Sequence, residues 1–513
     1  MIRWGITANS HDASMAVFDN NDLLWAAHAE RSSGVKNDKH LNTTIVGQAL
    51  QYGFPNEVHW YETQWLKRMR QIRSGQYALA WNKPSPRTTL KEFGIKTHTT
   101  ADLMDDLFDH TSTASFHNHR HHASHAATGY FTSPYRDAAI LVIDSIGEFE
   151  TLTLWHGKDR DMKKVYSQGY PNSIGLWYSA MTQRIGLKPN EDEYILMGWA
   201  AVGDPNRFKR QIFEDFFYPL EDGRMNIRLK HNLHRGCLWW RPEYNTIQDY
   251  ADIAAGTQAV YELIFNHLVK TSRNYVNSDN LVLMGGCALN CVANGSAYKY
   301  YPNVWIMPNP GDAGSSVGCV LDHTREFIEY NTAYLGYNIK GSYPVKAALQ
   351  EISTVGMVGV ANGRAEFGPR ALGNRSLLAD PRGQDMKDLV NTVKRRQEFR
   401  PFAPVILEEH VHEEFDMPSG CNSSPFMQYI ARTKKPELYP AITHLDGTAR
   451  VQTVNEEQHF GLYNLLKEWY KQTGCPMLLN TSLNIKGEPM VDTEKDAIRW
   501  TEKYNVKVVT SDD

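Results

Sequence analysis

"AAILVIDSIGEFETLTLWHG", residues 138–157, decides the fold. An apolar run ends in a polar turn, Asp144 to Glu148, and a second apolar run returns, which reads as strand–turn–strand. The N-terminus has the same rhythm. "IRWGIT" is a strand, "ANSHDAS" a polar turn and "MAVFD" a second strand. Asp19–Asn20–Asn21–Asp22 then forms a hairpin turn before "LLWAAHAE". In "NLVLMGGCALNCVANGSAYK" a strand runs into a double glycine and a helical pattern. No repeat is detectable residue by residue, yet the recurring scheme suggests duplicated α/β halves around a nucleotide cleft.

The 513 residues exceed what one hydrophobic core supports, so two or three domains are expected. The Tyr-, Asn- and Gly-rich stretch Glu329–Pro344 places the main boundary, giving a first domain over 1–340 and a second over 345–513. Hydrophobic residues at 42% and charged residues at 22% describe a soluble globular chain. A formal net charge of −4 creates no global field toward nucleic acid or membrane, so such a partner would need a local patch. No apolar run reaches the length of a membrane span, "MIRWGITANSHDAS" is no signal peptide, and no membrane partner is expected. Six cysteines without a CxxC pair argue against a disulfide framework and for a cytoplasmic location; Cys287 and Cys291 read as small buried residues.

"HNHRHHASHAATGY", residues 117–130, carries five histidines. On a helix, His121 and His125 share one face and can bind one metal ion. A zinc protease would need glutamate directly after the first histidine, where His122 stands, so that activity is excluded. Asp312, in the Gly-rich turn of "MPNPGDAGSSVGC", is the candidate third ligand; a helix N-cap is its other reading. Two histidines and one carboxylate with open positions suit Fe(II) or zinc. His122 reads as a substrate or phosphate contact, and His117 and His119 as solvated. Gly285 and Gly286 of "GGCALNCVANG" let backbone approach a phosphate or nucleotide, and Asp12 and Asp144 would face the phosphates or their metal.

The second domain concentrates fixed positive charge in "GRAEFGPRALGNRSLLADPR", "NTVKRRQEFRPFAP" and "DGTARVQTV". Arg370, Arg375, Lys394, Arg400 and Arg450 sit among Gly, Pro and Phe, as cations do when held for bidentate contacts to phosphate or carboxylate. "NTSLN", Asn480 to Asn484, adds hydroxyl and amide donors at a strand end. A small, anionic, phosphorylated substrate is expected.

These motifs together, with "SHDAS", "HHASHA", "DEYILMGWAAVG", "PGDAGSSVG" and "NTSLNIKGEPMV", resemble the O-carbamoyltransferases of the nodulation, cephalosporin and tobramycin type. The resemblance covers nearly the whole chain. It implies an α/β protein with an actin-like (ASKHA) N-terminal domain similar to tRNA threonylcarbamoyl-transfer enzymes, and a YrdC-like C-terminal domain. It further implies carbamoyl phosphate and ATP with Mg2+ as cosubstrates, and a carbamoyl-adenylate held over an iron or other divalent site. By motif, His121, His125 and Asp312 would ligate the metal. Arg370, Lys394, Arg400 and Arg450 would form the adenylation site, with Arg375, Asn480, Ser482 and Asn484 nearby. Gly285, Gly286 and Asn290 would approach the nucleotide. His11 and Lys36 would line the transfer site, and Asp144 would be an acceptor-hydroxyl base or a metal-proximal acid. Guanidinium groups suit the dianion carbamoyl phosphate, and unstable carbamate calls for exclusion of water. Ile195 replaces a lysine usual in the family.

For the hydroxyl acceptor, residues 65–81 and 224–241 interleave cations with aromatics, which suits phosphates and stacked bases. They point to the hydroxymethyl group of 5-hydroxymethylcytosine in DNA, flipped or single-stranded. Surface segments or a homodimer contact are the plain alternative reading of the patches. A sugar or antibiotic hydroxyl remains the alternative acceptor. An actin-like sugar kinase or ATPase and a non-catalytic nucleic-acid-binding module are the rival classes.

Overall fold

The computed structural model describes residues 1–81, 84–98, 113–396 and 402–512. The chain divides into two units: Met1–Ser33, Asn37–Leu289 and Tyr300–Tyr330 in the first, Gly34–Lys36, Asn290–Lys299 and Asn331–Asp513 in the second.

In the first unit the strand–turn rhythm becomes two sheets of the same order. β1 (Ile2–Thr7), β2 (Ser14–Asp19) and β3 (Asp22–His28) form an antiparallel meander, and β4 (Glu57–Trp60), β5 (Lys96–His98) and β6 (Thr113–Asn118) extend it in parallel. The order is β3-β2-β1-β4-β6-β5. After helix α1 (His121–Phe131), β7 (Asp137–Gly147), β8 (Glu150–Lys158) and β9 (Asp161–Gly169) repeat the meander. Following α2 (Ile247–Ser272), β10 (Asn280–Met284) and β11 (Asn303–Trp305) extend it in parallel, as β11-β10-β7-β8-β9. The expected duplication of α/β halves is thus present in topology without a residue-level repeat.

Helix α3 (Ser315–Thr324) packs on β1 and on α1, while α1 packs on β7 and β10, so the helix pair joins the two sheets. The pair approaches closely at Gly318, where a Cβ would stand 2.0 Å from both the Ser124 carbonyl oxygen and Thr128 Oγ1. Trp4, Trp25 and Trp60 are fully buried in the core of the first sheet.

The second unit begins earlier than a cut at 340. β12 (Tyr334–Ile339) pairs with β14 (Gly363–Glu366), across the Tyr- and Gly-rich stretch, because its edge would otherwise be left unpaired. β13 (Met357–Ala361), β15 (Arg375–Ala379), β16 (Ala403–Leu407), β17 (Phe415–Asp416), β18 (Tyr429–Thr433), β19 (Thr448–Val454), β20 (Met477–Ser482) and β21 (Val508–Val509) build a mixed eight-stranded sheet. Its order is β17-β18-β19-β16-β20-β15-β13-β21. Helices α4 (Gln384–Lys394) and α5 (Phe460–Thr473) accompany it, and its apolar core includes Val358, Leu378, Ile406, Leu465 and Leu478. The fold class is therefore mixed α/β. Among the described residues no helix is long and apolar enough to cross a membrane, and all six cysteines are free.

Candidate functional site

Three chain segments converge between the two sheets of the first unit. The i, i+4 spacing on α1 places His121 and His125 on one face, with their Nε2 atoms 3.1 Å apart. Asp312 comes from the turn before α3. That turn is held by Ser14, whose hydroxyl donates to the Ala313 carbonyl at 2.6 Å and bonds Ser316 Oγ at 2.9 Å. Asp144 ends the apolar run of β7. Asp312 Oδ1 lies 3.2 Å from His125 Nε2 and 3.3 Å from His121 Nε2, and Asp144 Oδ2 lies 3.2 Å from His121 Nε2. All four side chains are buried, and their ligating atoms lie within 4.8 Å of one another.

These separations test whether a metal fits. Bonds of about 2.0–2.1 Å in tetrahedral geometry set ligand atoms roughly 3.3–3.4 Å apart; four of the pairs, at 3.1–3.3 Å, match that spacing, and the others lie within 4.8 Å. Burial opposes charge throughout the cluster, but the ion pairs prevail. Burial pulls His121 down, and Asp312 and Asp144 raise it well above the usual imidazole range. Burial and Asp312 push the Asp144 carboxyl up, and His121 and His125 hold it at about 2. Asp312 stays well below the carboxylate range despite its burial because His121 and His11 face it. Both carboxylates are in the ligating form, and the proton on His121 is one that a metal would displace.

Asp144 is part of this group, which favours the metal-proximal acid over the acceptor base. Its Oδ1 also accepts the Gly286 N–H at 3.2 Å, bringing the double-glycine turn to the site. Gly285 has φ +89, and a Cβ there would stand 2.2 Å from the Ile143 carbonyl oxygen. His11 Nε2 lies 3.4 Å from Asp312 Oδ2 and its side chain is 47% exposed, so solvent reaches the cluster here. Desolvation works against its charge, but Asp312 and Asp12 raise it to about 9. Lys36 is exposed and belongs to the second unit.

The remaining histidines of the 117–130 stretch depart from expectation. His122 is fully buried, with Nδ1 at 2.9 Å from Thr153 Oγ1. Burial and His121 push it down to about 3, so it is a neutral core residue rather than a substrate contact. His119 is buried and bonded to Asp322 and His59, while half-buried His117 stacks on His59. His117 lies on β6, beside His59 of β4, and not on α1.

In the second unit, Glu366 organises the "GPRALGNRS" loop. Its Oε1 accepts backbone N–H bonds from Leu372 at 2.8 Å, Asn374 at 3.0 Å and Arg375 at 3.1 Å. Half-buried Arg370 lies in this loop. Arg375, expected near the donor site, is fully buried, and its guanidinium donates to the carbonyls of Asp492, Asn362, Asn374 and Tyr337, so it fastens the fold. Lys394 Nζ donates to Asn484 Oδ1 at 2.7 Å and to Ser482, bringing three predicted residues together. Asn480 Nδ2 donates to the Ala371 carbonyl at 3.1 Å and to Gln452 Oε1 at 2.6 Å, bridging strand and loop. Arg450 Nε is buried without a hydrogen-bond partner among the described residues. Burial, then Arg450, Lys387 and Arg396, overcome Asp446 to hold His444 at about 4, which marks a positive field that Lys387 and Arg396 share. Asn290 caps a short helix, accepting the Ala293 N–H at 3.2 Å. Arg400 and the Trp81 side chain lie outside the described residues. Glu366, Lys387 and Gln452 were not singled out from sequence, where they look like ordinary strand and helix residues.

The comparisons agree with this two-part arrangement. Residues 95–321 match the family profile described as "Carbamoyltransferase N-terminus", and residues 349–513 match "Carbamoyltransferase C-terminus". The chain belongs to the carbamoyltransferase family. This carbamoyltransferase is 33% identical to the nodulation protein NolO of Bradyrhizobium diazoefficiens, over 74% of its own length and 75% of that protein. It is 27% identical to 3'-hydroxymethylcephem-O-carbamoyltransferase of Streptomyces clavuligerus, over 96% and 94% of the two chains. Among solved structures, the activator of 2-hydroxyisocaproyl-CoA dehydratase from Clostridium difficile with bound ADPNP aligns at a TM-score of 0.30 and 12% identity. That alignment covers 63% of this chain and 96% of the other, and a likeness so distant carries no functional argument. The carbamoyltransferase is therefore a transferase enzyme.

The two basic, aromatic stretches are less open than their sequence suggests. In 65–81, Lys67 is buried against Glu62 at 2.6 Å, and Arg70 is buried with Nε on the Glu148 carbonyl. In 224–241, Arg224 pairs with Glu221 and Arg241 with Asp215, and Trp240 is buried. Trp65, Tyr77, Leu238, Trp239, Arg73 and Arg235 remain exposed.

Proposed function

We propose that this enzyme carries a carbamoyl group from carbamoyl phosphate, through a carbamoyl-adenylate made with ATP and Mg2+, to an acceptor hydroxyl. The observation that carries the proposal is the cluster of His121, His125, Asp144 and Asp312, whose spacing suits one divalent ion. The duplicated sheet order of the first unit supports the actin-like reading, and the mixed sheet of the second is compatible with the YrdC-like one.

The second unit's residues bind and activate the donor. Arg370, Arg450, Lys394 and Arg400 are assigned to this set from motif; Lys387 and Arg396 add to the field at His444. Water first cleaves carbamoyl phosphate to carbamate and inorganic phosphate; a carbamate oxygen then attacks the α-phosphate of ATP and pyrophosphate leaves, with positive charge there stabilising the phosphates. In the first unit, His121, His125, Asp144 and Asp312 would hold Fe(II), zinc or another divalent ion, which would supply Lewis-acid polarisation of a phosphate or carbonyl oxygen. His11, charged at neutral pH, lines the same site as a hydrogen-bond donor to developing negative charge. The acceptor hydroxyl attacks the carbamoyl carbon, its proton passes to solvent or a neighbouring base, and AMP leaves with the phosphate oxygen.

We assign the hydroxymethyl group of 5-hydroxymethylcytosine in DNA as acceptor. Exposed Trp65, Tyr77, Leu238 and Trp239 beside exposed Arg73 and Arg235 support stacking and phosphate contact. Incubating the enzyme with carbamoyl phosphate, ATP and hydroxymethylcytosine DNA should add the mass of one carbamoyl group per modified base. Turnover on a sugar or antibiotic hydroxyl with none on DNA would reject the acceptor and keep the transfer; no transfer to any hydroxyl would reject both.

A further inference from the structure

Away from the site above, the first unit gathers a second group of histidines. Glu57 and His59 are two apart on β4 and so share one face. Parallel pairing sets His117 of β6 directly beside His59. His323 arrives from the last turn of α3, which packs over β4. The ligating atoms of Glu57, His117 and His323 lie within 4.8 Å of one another. The His59 ring stacks on that of His117, with centroids 4.9 Å apart and planes at 14°, and lies 4.8 Å from that of His323. Its Nε2 is 3.5 Å from Glu57 Oε2.

The surroundings orient this group as outer-shell residues orient metal ligands. Asp322 Oδ2 lies 2.8 Å from His119 Nδ1, and His119 Nε2 lies 3.1 Å from His59 Nδ1, which turns His59 Nε2 toward Glu57. Arg3 Nε anchors the Glu57 carboxylate at 2.6 Å. His59 is fully buried, and His59 Nε2 and His117 Nε2 are buried ring nitrogens with no hydrogen-bond partner among the described residues.

We infer that Glu57, His117 and His323 form a second site for a divalent transition metal, separate from the His121–His125–Asp144–Asp312 cluster, with buried His59 stacked on His117 as a positioning residue. Two imidazoles and one carboxylate select zinc, cobalt, nickel or copper over magnesium or calcium. Because its three ligands come from β4, β6 and α3, this ion fastens α3 to β4 and β6. Since α3 follows the Asp312 turn, the second ion steadies the platform of the first.

Zn2+ titration of the chelator-stripped full chain, with bound metal counted after gel filtration, tests the site. Wild type should take up two equivalents, His117→Ala/His323→Ala one, and His121→Ala the other one. One equivalent that survives in His121→Ala but is lost with His323→Ala also supports the second site, while counting against the first. Wild type holding only the equivalent that His121→Ala removes, or the double variant matching wild type, overturns it. Because His323 is exposed, His323→Gln guards against misfolding: it should keep the apo melting temperature and lose part of the Zn2+-induced rise, and an undiminished rise overturns the inference.

Discussion

Replacing Gly147 by alanine removes no ligand yet acts on the metal cluster directly. Gly147 closes β7 against the His121 ring. A Cβ there would stand 2.2 Å from His121 Cδ2 and 2.8 Å from Nε2, where ordinary contact begins at 3.4 Å. The shortfall at Cδ2 is 3.4 − 2.2 = 1.2 Å, against a tolerance of about 0.2 Å in a metal–ligand distance. The ring must move, the strand must move, or both share the displacement, and each moves Nε2 relative to Asp144 and Asp312. Metal affinity should fall on the order of 100-fold, which is about 2.7 kcal/mol. Overpacking by itself costs roughly 1–3 kcal/mol of stability, so a matched control is needed. Gly157→Ala supplies it, since a Cβ there meets the Tyr130 ring at 2.6 Å. Competition with a chromophoric chelator gives the metal affinity, and urea unfolding gives the stability. If Gly147→Ala binds metal as wild type does while losing as much stability as Gly157→Ala, His121 is not a ligand and the cluster is a buried ion-pair network.

Arg370→Ala should abolish carbamoyl-adenylate formation, read as ATP–pyrophosphate exchange, while metal content stays at the wild-type level; retained exchange would contradict the division of roles. Glu366→Gln should destabilise the second unit by about 2 kcal/mol, because three backbone N–H groups lose a charged acceptor; an unchanged urea midpoint would refute this. His459 supplies a pH dependence. It caps α5 by accepting the Leu462 N–H at 3.0 Å and bonds Asn374 Oδ1 at 2.7 Å, and burial lowers it to about 4. The unfolded chain binds the proton near pH 6.5 and the native chain resists it. This stability is therefore full above pH 6.5 and declines as pH falls toward 4, by at most about 3 kcal/mol. His459→Asn, which keeps a capping oxygen, should flatten the slope of stability between those pH values, and an unaltered slope would count against the neutral cap.

Sequence by itself determined the local elements and the identities of the reactive groups. Strand and turn chemistry gave the β1–β3 meander and the β7–β8 hairpin, because hairpin pairing is set by residues a few positions apart. The spacing of four between His121 and His125 fixed their shared face. The motifs around Asp312, Arg370 and Arg450 carried the family resemblance that the two matching profiles bear out. Only the tertiary structure decided what those residues face. Arg375 reads as another anion-binding guanidinium until β15 buries it among carbonyls. His117 reads as solvated until parallel pairing of β4 and β6 lays it beside His59, 58 positions away in the chain. Lys67 and Arg70 read as a basic surface until Glu62 and the Glu148 carbonyl take them. The physical reason is common to all three: a charge or a lone pair is assigned by the nearest partner in space, and strand pairing brings that partner from parts of the sequence with no local pattern linking them.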